Sequence, residues 1–312
     1  MALRWSTLDP ESVTAWAELT NLLARVDGTE EFYDAEDLAE ELTEHGFSPA
    51  HDSLAVWDGD LLVAYAQLRV PGSLTHAEGY ARASIGGGVH PDYRGQGIAS
   101  EMFDRMEPRG QALARERHPG APIQLRSSGG LDSDPVRPLL RERGYEPVRY
   151  FTSMERPLPG DALAPVDTRV TPWTLELDEA TRLAHNDAFA SHWGSGPATP
   201  EHWREMREGR SFRPAYSRVA LDDGGQVLAY TTTQQWVDRE LYVGLVGTRA
   251  AARGRGLGRA VLNASLVAAA ESGEFDLVEL EVDSANPQGA DALYSSVGFT
   301  PVRTTAVFAR LV

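Results

Sequence analysis

The 312-residue chain contains no cysteine, which excludes disulfides, thiolate-held metals and a cysteine nucleophile. Lysine is absent too, so all 29 cationic side chains are arginine. A coding bias that also enriches alanine and glycine accounts for this better than any functional device. Long apolar runs are missing: no stretch approaches the roughly 20 residues of a membrane span. The opening Met1-Ala2-Leu3-Arg4-Trp5 lacks the basic and apolar regions of a signal peptide, and a cytoplasmic location with no membrane contact is the expectation. Positive charge is scarce, with 29 basic against 46 acidic residues and a net charge of −17. That balance argues against nucleic acid and mildly favours a cationic or amine-bearing partner. What remains, 42% hydrophobic and 24% charged, suits a globular protein. Its length suggests two domains of roughly 150 residues.

One phrase occurs twice, half a chain apart: Arg94-Gly95-Gln96-Gly97-Ile98-Ala99 and Arg253-Gly254-Arg255-Gly256-Leu257-Gly258. Each follows an apolar run and opens an amphipathic helix. Small residues at a strand-to-helix turn let backbone N–H groups approach an anion, and the helix start adds partial positive charge. The surrounding pattern repeats as well. In the first half, strands are predicted over Ser53–Trp57, Leu61–Val70, Ala81–Val89, Pro122–Leu125 and Glu146–Met154, with helices from about Glu11, over Ala35–His45, Ile98–Arg117 and Pro135–Arg143. The second half repeats this order, with strands over Arg169–Leu175, Ser217–Leu221, Gln226–Trp236, Leu241–Thr248, Leu277–Val282 and Pro301–Leu311. Its helices are predicted over Asp178–Phe189, Pro200–Glu208, Leu257–Glu271 and Gln288–Ser296. Between the halves lies a Pro-rich stretch typical of a linker. The expected organisation is a domain over 1–156, a linker over 157–167 and a domain over 168–312. The expected class is α/β, each domain a mixed, mostly antiparallel sheet flanked by helices.

This order, with Arg-x-x-Gly-x-Gly/Ala after the fourth strand, resembles the GNAT superfamily of acyl-CoA-dependent N-acyltransferases in tandem copies. The segment from Asn286 through Ala290, Leu293, Tyr294, Gly298 and Phe299 is similar to the family's pattern after the fifth strand. The resemblance implies an acetyl-CoA-dependent N-acetyltransferase acting on the primary amine of a small molecule, with acetyl-CoA as co-substrate. It also implies roles. Gly88-Val89 and Gly247-Thr248 meet the acetyl and pantetheine portion. Amides of Arg94, Gly95, Gln96, Gly97, Ile98 and Ala99, and of Arg253, Gly254, Arg255, Gly256, Leu257 and Gly258, hold the pyrophosphate. Asn286 touches the pantetheine arm, and Tyr294 is the general acid beside the departing thiolate. The tandem layout is similar to that of the mycothiol synthases, which implies acetylation of a cysteinyl amine as an alternative; a non-catalytic acyl-CoA sensor is a third.

An amine that arrives protonated needs a base. The family's usual strand glutamate falls at Tyr242, a departure, and Glu240 on the same face by the two-residue period is the candidate, with Glu281 and Asp283 behind it. The halves are unequal. The first has Leu139-Leu140 where Leu-Tyr is expected, lacks the asparagine and carries no carboxylate on Ala81–Val89, so catalysis is expected in the second. His185, His192, His202 and Asp187 lack the tight spacing of structural zinc ligands. Trp193, Trp203 and Trp236 are candidates for an acceptor pocket or for the core.

Overall fold

The computed structural model describes residues 3–285 and 289–312. The first repeat comprises β1 (Arg4–Ser6), α1 (Val13–Asp27), α2 (Ala35–Glu41), the one-turn α3 (Pro49–Asp52), β2 (Ser53–Asp58), β3 (Leu61–Arg69), β4 (Ala81–Val89), α4 (Ile98–Arg117), β5 (Ile123–Ser128), α5 (Val136–Glu142) and β6 (Glu146–Pro157). The second continues with β7 (Val170–Pro172), α6 (Asp178–Ala188), α7 (Pro200–Glu208), β8 (Arg218–Leu221), β9 (Val227–Gln234), β10 (Glu240–Thr248), α8 (Leu257–Ser272), β11 (Leu277–Asp283), α9 (Ala290–Ser295) and β12 (Thr300–Leu311). Two differences from the sequence reading stand out. α3 has no periodicity to announce it, and the strand expected over Arg169–Leu175 is only three residues long because Pro172 ends its ladder.

The chain forms two compact units, Met1–Tyr150 with Thr304–Val312, and Phe151–Arg303. In the first, β1, β2, β3 and β4 pair antiparallel in sequence order, and β4 pairs β5 in parallel. The far side of β5 is taken by β12, antiparallel, from Val307↔Ser128 to Leu311↔Gln124. In the second, β7 through β10 are antiparallel, β10 pairs β11 in parallel, and β11 is bordered by β6 from Leu277↔Pro157 to Asp283↔Phe151. Each unit's sheet is therefore closed by the strand that chain order assigns to the other repeat. Local alternation favours a strand in both segments but does not choose its partner. The Pro-rich stretch is no free spacer. Leu158 is buried in the core of the second unit, and Ala164 exchanges two hydrogen bonds with the Asn263 side chain on α8.

A parallel pair needs a crossover, and in each unit a long helix supplies it. α4 packs Met102, Phe103 and Met106 on β3, β4 and β5 together with Phe308 of β12. α8 packs Leu262 and Leu266 on Leu241, Val243, Val278 and Leu280. The opposite faces are covered by α1 and α2 through Trp16, Leu19 and Leu38, and by α6 and α7 through Ala184 and Trp203. Among the described residues no helix is long and apolar enough to cross a membrane.

Candidate active site

The parallel ladder between β10 and β11 stops at Tyr242↔Glu279 although both strands run on. A β-bulge at Gly244 causes the separation: Val243 faces Thr233, but Leu245 already faces Thr232. An extra residue bends the strand and raises its twist. Glycine there leaves room for the Gln234 side chain: a Cβ would lie 2.2 Å from its Oε1, so a larger residue would force that side chain to move. Beyond the bulge opens a cleft of about 540 Å³.

Thr248, Arg253, Gly254, Gly256, Leu257 and Gly258 line this cleft, with Tyr294 beside them. Gly254 and Gly256 have φ of +73° and +74°, and a Cβ at either would meet nothing within 4 Å. Backbone conformation demands glycine here, and the space beyond is open to a ligand. Gly256 is the N-cap of the 16-residue α8 and has no side-chain cap, so the first-turn N–H groups are left to bind an anion. These residues fit the pyrophosphate of acetyl-CoA. Gly247 and Arg255 do not line the cleft; Gly247 allows the buried Tyr230 ring to approach, since a Cβ would lie 2.3 Å from its Cε1. Asn286 lies outside the described residues. Burial pushes the Tyr294 phenol up to about 12, so it holds its proton throughout the neutral range.

The remaining lining comes from α6, the turns after it, the middle of β6 and the end of β11. His185, Phe189, His192, Ser195, Phe151, Glu281 and Asp283 belong to it, with Tyr242 of β10. His185 stacks on Phe189, centroids 4.7 Å apart, and its Nδ1 shares a 2.6 Å hydrogen bond with the Tyr230 hydroxyl. Burial, then the neighbouring Tyr294, raises the Tyr230 phenol well above its ordinary value. Glu240 is not among the lining residues. It stands at the closed end of β10 beside Glu279 and Glu155, where burial, then the hydrogen bond and charge of Glu279, push its carboxyl up to about 7, with Arg303 opposing. The tryptophans do not line the cleft either. Trp203 is buried and donates to Asp178 Oδ1 at 2.8 Å, Trp193 packs on Phe151 and Trp236 on Tyr242. No group of acidic and histidine side chains suited to a metal occurs among the described residues.

The first unit's turn has the same backbone, with Gly95 and Gly97 at φ +74° and +83° and Gly97 as the uncapped N-cap of α4. Its surroundings differ. β3 and β4 pair without a slip from Arg69↔Ser84 to Ala64↔Val89, so no bulge opens the strand. A Cβ on Gly88 would lie 2.3 Å from Leu23 Cδ1 of α1. Arg94 donates to both carboxylate oxygens of Asp27, at 2.8 and 2.7 Å, and to Val89 O. Its equivalent Arg253 instead donates to Ala188 O at 2.8 Å and Thr248 O at 3.4 Å. Gln96, Ile98 and Ala99 complete the turn and the start of α4, with Ile98 buried in the core.

Comparison with known proteins settles the family. The model of the Acetyltransferase (GNAT) family matches residues 14–125 and again 179–299. The chain belongs to this family. Mycothiol acetyltransferase of Rothia mucilaginosa is 29% identical over 94% of this chain and 88% of its own. The fold is shared with a GCN5-related N-acetyltransferase from Sphaerobacter thermophilus, TM-score 0.77 at 22% identity, covering 99% of this chain and 95% of that one. It is also shared with a tandem GNAT protein from the clavulanic acid biosynthesis pathway, TM-score 0.69 at 19% identity, covering 99% and 98%. The GNAT chain is an acetyl-CoA-dependent N-acetyltransferase with two GNAT repeats.

Proposed function

We propose that the second unit alone carries out the reaction, acetylating the primary amine of a small molecule by direct attack on the thioester, in the cytoplasm where acetyl-CoA is available. The observation that supports this most is the cleft beyond the Gly244 bulge, which is lined by both the anion-binding turn and Tyr294; in the first unit β3 and β4 pair without a slip, and Leu140 stands where the second unit has Tyr294. Backbone amides from Arg253 to Gly258 hold the pyrophosphate end, and the split between β10 and β11 admits the pantetheine arm. Positioning of amine and thioester supplies much of the barrier reduction. Tyr294, protonated, donates to the sulfur as the C–S bond breaks. The acetyl-CoA side of the cleft is cationic through Arg253 and Arg259, whereas the acceptor wall carries Glu281 and Asp283, which suits an amine that arrives as an ammonium.

A second reading narrows the acceptor to the cysteinyl amine acetylated by mycothiol synthases. The Rothia relative spans both repeats, which favours it, while Tyr242 at the usual glutamate position sets this chain apart. The deciding experiment is release of free thiol from acetyl-CoA across a panel of amines that includes the cysteinyl substrate. Turnover with that substrate at far higher kcat/KM than with simple amines supports the second reading; turnover confined to other amines removes it.

A further inference from the structure

The second-unit cleft contains a histidine and a buried carboxylate set side by side on the same wall. The segment after α6 folds into consecutive turns, with His192 N–H donating to Phe189 O at 2.9 Å and Ser195 N–H to His192 O at 3.3 Å. Trp193 packs its ring on Phe151 of β6, the residue paired with Asp283 at the end of β11. These contacts hold His192 over the open end of β11. Its Nδ1 lies 3.0 Å from Ser195 Oγ, and its Nε2 lies 4.0 Å from Asp283 Oδ2. The Asp283 side chain is 2% exposed, and its other oxygen accepts from Ala285 N–H at 2.9 Å.

We infer that His192 is the proton acceptor for the incoming amine, with Asp283 as the anchor of the ammonium and Ser195 as a positioning residue. This rests on the second unit being the catalytic one. A gap of 4.0 Å is too long for a hydrogen bond, yet it places both atoms within reach of one nitrogen set beside them at about 2.9 Å from each. The Ser195 hydroxyl can accept the Nδ1 proton, and in that tautomer Nε2 carries the lone pair that takes the proton of the amine. Among the described residues the cleft is also lined by Glu281 from β11, Tyr242 from β10 and His185 from α6, and by Arg253, Arg259 and Tyr294; a protonated imidazole forms with the Asp283 carboxylate beside it. The step balances as follows. The ammonium gives one proton to His192 Nε2, which passes it to solvent. The amine lone pair forms the C–N bond, the C–S bond breaks, and the thiolate takes the Tyr294 proton. The second proton leaving nitrogen restores the phenol. Glu240, outside the cleft lining, has no part in this route.

The test compares wild type with His192→Gln, Ser195→Ala, Asp283→Asn and Glu240→Gln, with thermal melting as the check of folding. His192→Gln is expected to lower kcat/KM for the amine by about 100-fold, to flatten the acidic limb of its pH profile, and to leave the KM for acetyl-CoA unchanged. Asp283→Asn raises the KM for the amine. Ser195→Ala keeps the imidazole and the fold, and lowers kcat/KM roughly tenfold, less than the about 10²–10⁴-fold of losing an acid–base group outright; it carries the prediction if the histidine variant does not fold. Wild-type kcat/KM and an intact acidic limb in both His192→Gln and Ser195→Ala, with Tyr294→Phe inactive, overturn the inference while the second-unit reading stands. So does loss of that limb in Glu240→Gln alone. Full turnover in Tyr294→Phe breaks the underlying reading instead.

Discussion

Gly97→Ala and Gly256→Ala form a matched pair that separates the two anion-binding turns. Both residues are uncapped N-caps of long helices, at φ +83° and +74°, and a Cβ at either meets nothing within 4 Å. Packing is therefore untouched, and the stability cost is that of forcing alanine into the left-handed region, roughly 1–2 kcal/mol in each case. For a protein of this size that is a fall in Tm of about 2–4 °C per kcal/mol. The functional effects diverge. In Gly256→Ala the new methyl enters the space through which the amides of α8 reach the pyrophosphate. Losing one charge-assisted hydrogen bond costs about 1.5–3 kcal/mol, which raises the KM for acetyl-CoA roughly 10- to 100-fold. In Gly97→Ala the same methyl enters a turn whose arginine is already satisfied by Asp27, and the kinetics stay those of wild type. Differential scanning and thiol release at varied acetyl-CoA measure both quantities. An equal rise in KM for the two variants, or none in Gly256→Ala, refutes the reasoning.

Two further outcomes follow from the packing and the charges. Phe308 of β12 is fully buried in the first unit's core, so Phe308→Ala costs about 3–5 kcal/mol, and hydrogen exchange should accelerate in β4 and β5 rather than in β11; acceleration confined to β11 contradicts the strand exchange. The Glu240 carboxyl, raised from 4.5 to about 7, binds its proton more tightly when folded than when unfolded. Its stabilising effect is complete below about pH 4.5 and is lost as pH rises to about 7. Glu240→Gln removes that dependence, so its melting temperature should gain on wild type across this window; a constant difference from pH 4 to 8 excludes a carboxyl held protonated by the fold.

Much of the architecture was legible because it rests on local rules. The glycines at positive φ, the apolar faces of α4 and α8 and the polar hairpin turns are signals carried by neighbouring residues, and Ala81–Val89, Ile98–Arg117 and Pro200–Glu208 appear where the pattern places them. The Gly-rich turn before α8, with Gly254 and Gly256 at positive φ, was legible for the same reason, whereas Tyr294 was singled out by the family resemblance and lines the same cleft. What could not be read depends on partners far apart in sequence. β6 and β12 alternate well enough to close either sheet. The bulge at Gly244 is a property of how β10 pairs with β9, and a glycine in a strand is its one local hint. Tyr230 reads as an ordinary core tyrosine until it is found between Gly247 and His185. His192 and Ser195 carried no motif; they gain meaning only when the turn after α6 lies opposite Asp283. Glu240 shared the right face by periodicity, but its strand pairs so closely with β11 at that end that the carboxyl meets Glu279 rather than the cleft.

The central claim, that one of two similar units does the chemistry and uses Tyr294 as its acid, is tested most directly by amine-dependent thiol release in Tyr294→Phe. Removing one hydroxyl from a buried ring should leave the fold and the KM for acetyl-CoA unchanged and lower kcat by about 100-fold. Wild-type kcat in that variant would contradict the account.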